Sequence, residues 1–191
     1  MIKDLIIRNR SYRRFIEKES IPWSHLLEMV NNARLSPSAR NAQSLKYYIS
    51  SDATENKKIF PYLAWAGYLK DWSGPEEGER PSAYIVQMND ENISTNYFCD
   101  DGIAAQSILL TAVEKGYGGC IIGSVKKEAL TEMLGIPSHL KVIQVIALGK
   151  PVEKVVLEEM KDNDYKYWRD EDKVHHVPKR ILPDLIINFE S

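Results

Sequence analysis

Residues 142–148 form a run of seven residues in which only Gln144 is polar. A strand with water on one face alternates polar and apolar side chains, whereas a strand covered on both faces is apolar almost throughout. This run therefore predicts a buried central strand, and structure must cover both faces of the sheet that contains it. The predicted elements come as helices first and then strands separated by helices, which favours an α+β fold.

The remaining pattern predicts five helices and two more strands around that sheet. Apolar residues at helical spacing predict helices over residues 2–9, 20–35, 53–63, 97–115 and 124–134, and the other strands cover residues 47–49 and 83–88. Residues 120–122 are too short a run to assign as a strand. No linker rich in proline, glycine or serine interrupts the chain, so we expect one domain over residues 1–191, with a central sheet flanked by helices.

Composition excludes several classes of protein. The chain has 191 residues and only two cysteines, which argues against a secreted scaffold built on disulfides. No apolar stretch reaches the roughly 18 residues that a membrane span needs, and the charged N-terminus is unlike a signal peptide. A formal charge of −2 gives no reason to expect nucleic acid as a partner. We therefore expect a cytoplasmic protein that binds neither membranes nor nucleic acid.

The two ends of the chain are basic and its middle is acidic. Residues 1–14 carry five basic side chains and one acid, and residues 173–180 carry three basic side chains and two histidines. Segment 71–101 carries eight acids against one arginine. Charge clusters are usually solvated surface faces. Two short basic clusters from opposite ends of one domain could also converge on a small polyanion.

Four segments are candidate ligand-binding elements. Arg10, Ser11 and Arg13 place two guanidinium groups and a hydroxyl where a helix ends, and such donors hold phosphate dianions. Residues 37–43 could border a planar heterocycle, and the glycine-rich residues 116–123 would let the backbone approach a flat ligand. The basic pair Lys179 and Arg180 could reach the same phosphate. A solvated basic turn, an ordinary loop, a tightly packed turn and a charged tail explain the same four segments without a ligand.

The familiar catalytic and nucleotide-binding signatures are absent from the sequence. Ile121 stands where a dinucleotide-binding turn needs its third glycine, and a phosphate-loop lysine is missing before Ser124. The sequence has no HExxH, CxxC or nucleophile elbow. We therefore predict no metal site and no catalytic side chain, and expect that a bound organic cofactor supplies the chemistry of any enzyme built on this chain.

Five segments together resemble the nitroreductase-like FMN-dependent oxidoreductases over nearly the full length of the chain. They are NRSYRRF, PSARNAQ, DDGIAAQSILLTAVEKGYGGCIIG, IQVIALGKP and HHVPKR, in the order in which that family has them. The resemblance implies an α+β sandwich with a central mixed sheet, stable as an intertwined homodimer. It also implies one FMN at each of two clefts in the subunit interface. The apolar segment 182–189 would then find the surface that it needs on a second subunit.

The resemblance also implies, position by position, which residues hold FMN. The phosphate would be held by Arg10, Ser11, Arg13, Lys179 and Arg180. The ring and the ribityl chain would be bordered by Pro37, Ser38, Ala39 and Asn41, and the N5 edge of the ring by Ile122 and Gly123. The chain departs from the family at Asn9, Ser44 and Leu45, where many members carry arginine, proline and tryptophan. It is also short for the family, and a missing or reduced helical insertion would change the lid over the substrate.

The implied activity is the reduction of a small-molecule oxidant by NADH or NADPH. In a ping-pong mechanism the nicotinamide would pass a hydride to the flavin and leave, and a nitroaromatic, quinone or related electrophile would take its place. Trp65 and Tyr68, with Trp72, could wall this site, or they could be ordinary packing residues. The alternatives are another flavin chemistry on the same fold (dehalogenation, flavin fragmentation or azoline oxidation), a non-catalytic flavin sensor or carrier, and a dimeric interaction module.

Overall fold

Four strands form the central sheet of the structure. The computed structural model describes residues 1–188. The strands are β1 (Leu45–Ser50), β2 (Ala83–Asp90), β3 (Gly118–Ile122) and β4 (Leu140–Gly149), in the order β1-β2-β4-β3. All three strand pairs are antiparallel. The sheet thus differs from the mixed sheet that we expected: β2 and β3 run in the same direction, but β4 lies between them, so they form no parallel pair.

Helices cover both faces of this sheet, which confirms the α+β class. They are α1 (Ile2–Arg8), α2 (Trp23–Leu35), α3 (Ala53–Ile59), α4 (Asp100–Glu114) and α5 (Lys127–Leu134). Helices α2 and α4 share one apolar core with Ile85 and Ile146, and α3 and α5 share the other with Val86 and Val145. Successive residues of β2 and β4 point alternately into the two cores. This arrangement explains why residues 142–148 are apolar almost throughout.

The segment between α1 and α2 runs along the edge of the sheet. Ser11 forms a parallel bridge with Gly119, and Phe15 is fully buried beside Gly149. A Cβ atom at Gly149 would lie 2.8 Å from the Phe15 ring, so only glycine lets the two segments approach this closely. The docking of this segment places residues 9–13 next to β3.

A second, smaller sheet follows β4, and the sequence analysis did not predict it. Its strands are β5 (Val155–Glu159), β6 (Trp168–Arg169) and β7 (His175–Lys179), in the order β5-β7-β6. Strands β5 and β7 are parallel, and β6 and β7 are antiparallel. These strands are short and about half of their residues are polar, so they lack the long apolar run by which a buried strand is recognised.

Both ends of the described chain leave apolar side chains exposed. No residue of α1 is buried, and Ile6 is 46% exposed. The turn Leu182–Leu185 and the residues up to 188 are exposed as well. Phe189, which belongs to the predicted apolar segment, lies outside the described residues. Within residues 1–188, no helix is long and apolar enough to cross a membrane.

Candidate cofactor-binding site

The two basic ends of the chain meet at one cavity, the basic cavity, with a volume of about 340 Å³. Arg10, Ser11 and Arg13 line it from the N-terminal segment, and Lys179 lines it from β7. This volume lies within the range of small-molecule sites. The other wall residues are Asn9, Gln106, Leu109, Gly119, Ile121, Tyr167, His175 and Val177.

The basic cavity is electrostatically suited to an anion. Its described walls contain Arg10, Arg13 and Lys179 and no carboxylate. Arg10 Nη2 donates a hydrogen bond to the backbone oxygen of Ile6 at 2.8 Å, whereas its buried Nε has no partner among the described residues. Burial lowers the pKa of Arg10. Because a buried donor without an acceptor is costly, a ligand oxygen bonded to this group would stabilise the site.

The Arg13 side chain is held by three contacts. Its Nη1 donates to the backbone oxygen of Ser11 at 3.2 Å and lies 3.4 Å from His175 Nε2. Its guanidinium carbon lies 4.9 Å from the centre of the Tyr167 ring. Burial, and then the charge of Arg13, lowers the pKa of His175 to about 4. His175 is therefore neutral near pH 7, so it can accept a hydrogen bond from Arg13 instead of repelling it.

Arg180 does not join the other predicted phosphate-binding residues. It is exposed, and its Nη1 donates to Asn163 Oδ1 at 3.0 Å. Neighbouring residues of an extended chain point to opposite sides, so Arg180 points away when Lys179 faces the cavity. The structure thus brings Arg10, Arg13 and Lys179 together and leaves Arg180 outside.

The loop of residues 37–43 borders a different space, the loop cavity, with a volume of about 300 Å³. Pro37 and Ser38 belong to its walls. Asp100, buried at the start of α4, accepts hydrogen bonds from Ser38 Oγ at 2.6 Å and from the Ala39 N–H at 2.9 Å. Both carboxylate oxygens of Asp100 therefore hold the loop.

The backbone of this loop is strained. Arg40, Asn41 and Gln43 have φ values of 55°, 54° and 53°, in the left-handed region that residues other than glycine seldom adopt. The Asn41 side chain is engaged within the loop, because its Oδ1 accepts a hydrogen bond from Gln43 Nε2 at 3.2 Å. Strained backbone of this kind persists only where its surroundings fix it, and it is concentrated at functional sites.

Helix α4 separates the two cavities. Asp100 and Ala104 line the loop cavity, whereas Gln106 and Leu109 line the basic cavity. At about 100° per residue, Ala104 and Leu109 point in directions roughly 140° apart around the helix. Within one chain, the structure therefore does not bring the predicted phosphate-binding residues and the predicted ring-binding residues together.

The residues predicted to border the N5 edge of the flavin lie at the end of β3. The Ile122 side chain is buried in the core, so only its backbone could contact a ligand. Gly123 follows, and a Cβ atom there would meet nothing within 4 Å, so the space beside it is open. Because side chains alternate along a strand, Ile121 and not Ile122 lines the basic cavity.

The two predicted substrate-binding residues have different surroundings. Trp65 is 8% exposed, and its ring centre lies 5.8 Å from that of Phe60, so it packs in the core and walls neither cavity. Tyr68 is 47% exposed and lies 5.0 Å from the ring of Tyr167, a wall of the basic cavity. Ordinary packing therefore explains the position of Trp65. Tyr68 is not a wall of the basic cavity, but it contacts Tyr167, which is.

Sequence reasoning missed several residues of these cavities, among them Tyr167, His175, Gln106 and Asp100. The sequence gives no local signal for Tyr167 or Gln106, because their roles depend on how distant segments pack. His175 and Lys179 share one face of β7, so recognition of that strand would have placed the histidine beside the predicted lysine. Asp100 lies near the start of the predicted helix 97–115, where an acid is usual for helix stability alone.

Comparisons of the sequence with known proteins find a family and its relatives. A sequence model described as the Nitroreductase family matches residues 6–72 and 78–150. A protein of Archaeoglobus fulgidus named "Putative NADH dehydrogenase/NAD(P)H nitroreductase" is 28% identical over 158 residues, which cover 78% of this chain and 85% of the relative.

Solved structures share the fold. A nitroreductase family protein from Clostridium novyi matches with a TM-score of 0.66 and 23% identity, over 79% of this chain and 86% of that chain. The NADPH:FMN oxidoreductase from Vibrio harveyi, solved in complex with NAD+, matches with a TM-score of 0.62 and 20% identity, over 78% of this chain and 68% of that chain. At these identities the likeness concerns the fold alone.

Proposed function

The chain belongs to the nitroreductase family, and on this premise we propose that it is an FMN-dependent oxidoreductase. It would use NADH or NADPH to reduce nitroaromatic compounds, quinones or related small electrophiles. The observation that carries the proposal is the basic cavity, where cations from both ends of the chain line one space that has no carboxylate among its described walls. The name of the relative from Archaeoglobus supports a nicotinamide as the electron donor.

The described residues fit FMN in charge and in hydrogen-bonding capacity. Arg10, Ser11, Arg13 and Lys179 would hold its phosphate, and the unpartnered Nε of Arg10 would gain an acceptor. The ring and the ribityl chain would be bordered by Pro37, Ser38, Ala39 and Asn41 and by the backbone of Ile122 and Gly123. Arg180 could reach the phosphate only by giving up its bond to Asn163.

A homodimer would unite the two groups of residues. Because α4 separates the loop cavity from the basic cavity, we propose that each FMN lies between the basic cavity of one protomer and the loop of residues 37–43 of its partner. The exposed apolar residues of α1 and of the C-terminal segment support this proposal, since association would remove them from water. Ile2, Ile6, Leu182 and Leu185 are examples.

When bound, FMN would supply the two-electron chemistry, and the protein would supply position and charge. NADH or NADPH gives a hydride, and a quinone accepts two electrons and two protons, the second proton coming from water. The cations and backbone N–H groups around the cofactor would stabilise negative charge that develops during the reaction. We propose no catalytic side chain: His175 is neutral near pH 7 and is engaged with Arg13, so it is not a proton donor.

The freshly purified protein tests the proposal. We expect a yellow protein with a flavin absorption spectrum, and heat should release a compound with the mass of FMN. NADH or NADPH oxidation should accelerate when a quinone or a nitroaromatic compound is added. A colourless protein that neither binds added FMN nor oxidises a nicotinamide would contradict the proposal, and a yellow protein without turnover would be a flavin carrier.

A further inference from the structure

A buried carboxylate lies behind the basic cavity without being one of its walls. The Glu153 side chain is 1% exposed. Its Oε1 accepts a hydrogen bond from the backbone N–H of Arg13, and its Oε2 accepts one from Arg169 Nη2 at 3.2 Å. A carboxylate is tolerated at such burial because both of its oxygens are bonded. Glu153 thus connects the turn that carries Arg13 to strand β6.

Lys154, which follows Glu153, fixes the start of β7, the strand that lines the other side of the basic cavity. The backbone oxygen of Lys154 accepts a hydrogen bond from the His175 N–H at 2.8 Å, where β7 begins. Strand β7 then continues to Lys179. Two consecutive residues therefore set the position of the Arg13 turn relative to the strand that carries the C-terminal cation.

We propose that Glu153 is a positioning residue that makes this site select the phosphorylated flavin over the unphosphorylated one. It would do so by holding the Arg13 turn so that the guanidinium group lines the basic cavity. Glu153 does not line the cavity, so it acts through Arg13. This inference rests on the proposed binding of FMN.

Charge alone predicts the opposite effect. A carboxylate close to a bound phosphate repels it, so its removal would strengthen phosphate binding if Glu153 contributed nothing but charge. If Glu153 positions Arg13, its removal weakens phosphate binding. Comparison with riboflavin distinguishes this positioning role from a general role of Glu153 in stability. Riboflavin has the same ring and ribityl chain as FMN but no phosphate, so a structural defect would weaken the binding of both ligands alike.

The experiment compares the dissociation constants of FMN and riboflavin for the apoprotein, by fluorescence titration. The wild-type protein should prefer FMN, and Glu153→Ala should reduce this preference by about 10-fold or more, the scale of one charge-assisted hydrogen bond. Riboflavin binding should stay within about twofold of wild type, since no lost contact involves the ring. The matched control is Glu79→Ala, which removes a carboxylate that pairs with Arg14 at 2.6 Å. Arg14 is the neighbour of Arg13, but neither Arg14 nor Glu79 lines the basic cavity. This control should leave the preference unchanged.

The outcomes separate this inference from the proposed function. A wild-type protein that binds neither flavin contradicts the proposed function and with it this inference. This inference alone is overturned if the wild-type protein prefers FMN and Glu153→Ala leaves that preference unchanged or increases it. It is also overturned if Glu79→Ala reduces the preference for FMN as much as Glu153→Ala does. If Glu153→Ala does not fold, Glu153→Gln replaces it, because the amide keeps the volume but cannot accept from both donors. A reduced preference in that variant supports the role, and an unchanged or increased preference overturns it.

Discussion

At the scale of single residues, two arginines determine what the basic cavity can bind. Arg10 brings a buried N–H group without a partner among the described residues, and Arg13 is oriented by His175 and Tyr167. Both stand in a motif from which phosphate binding could be predicted, because guanidinium groups at a helix end are visible in the sequence. The orientation of Arg13 could not be predicted, since it depends on His175 of β7, 162 positions away.

Replacing either arginine with alanine should weaken FMN binding by about 1.5–3 kcal/mol, the range for hydrogen bonds to charged groups. Fluorescence titration with FMN measures the change. Arg8→Ala is the control, because it removes a charge from the exposed end of α1 outside the cavity. Wild-type affinity in Arg10→Ala and Arg13→Ala, or an equal loss in Arg8→Ala, would show that the phosphate is held elsewhere.

Asp100 holds the loop of residues 37–43 by accepting hydrogen bonds from Ser38 and Ala39. Asp100→Ala should lower the free energy of unfolding by about 1–3 kcal/mol, because it leaves the Ala39 N–H and the Ser38 hydroxyl without their buried acceptor. Urea denaturation measures the difference. Asp101→Ala removes a neighbouring acid from the same first turn of α4 and should have a smaller effect. If the two variants are equally destabilised, the general contribution of acids to the helix terminus is sufficient to explain the loss.

At the scale of elements, β7 has a second face that points away from the basic cavity. His176 stacks on Trp168 with 3.9 Å between ring centres, and its Nε2 lies 3.0 Å from Asp170 Oδ2. Its Nδ1 contacts Glu158 on β5. Hydrogen bonds first to Asp170 and then to Glu158 raise the pKa of His176, and the bond to His176 lowers the pKa of Asp170. Protonated His176 thus joins the strands of the small sheet.

The contribution of His176 to stability should depend on pH. The folded-state pKa is raised, so the contribution is fully present below the unfolded value of about 6.5 and is lost as pH rises through the folded value. Asp170 behaves in the opposite way: its contribution is present above its unfolded pKa near 3.9 and is lost as pH falls through the lowered folded value.

Urea denaturation of the wild-type protein and of His176→Gln, at several pH values from about 5.5 to 9, measures this contribution. The difference in stability between the two proteins should shrink as pH rises. His139→Gln, in the turn before β4, controls for the removal of a histidine in general. A difference that stays constant over this range would mean that the protonation of His176 does not stabilise the small sheet.

Three strands of the main sheet were predictable from the sequence, whereas β3, left unassigned because its apolar run is short, and the small sheet were not. The composition of residues 142–148 alone identifies them as a buried strand, because a strand that is covered on both faces must be apolar. Residues 168–179 carry polar and aromatic side chains that are fixed by pairing with distant segments, such as the bond of Arg169 to Glu153. Such pairing leaves no periodic signal in a single sequence.

At the scale of the whole molecule, two observations support the proposed homodimer. The two cavities lie on opposite sides of α4, and both ends of the described chain expose apolar side chains. Within a single chain, the predicted phosphate-binding residues line the basic cavity, and the predicted ring-binding loop borders the loop cavity on the other side of α4. The resemblance of the sequence to a family implied the residues of both groups. Their separation in the chain became visible only in three dimensions.

Sedimentation velocity should give a mass of about twice the 21.9 kDa of one chain. Ile6→Glu should weaken both association and FMN binding, because it places a charge on the exposed apolar face of α1. The matched control is Ile93→Glu, which changes an equally exposed isoleucine in the turn after β2. A monomeric wild-type protein that still binds FMN tightly would contradict the shared site.

The most direct measurement is a crystal structure of the protein grown with FMN. The phosphate should lie within hydrogen-bonding distance of Arg10, Ser11, Arg13 and Lys179 of one protomer, with the ring against the loop of residues 37–43 of its partner. A phosphate bound away from these side chains, or a basic cavity that stays empty at saturating FMN, would contradict the assignment.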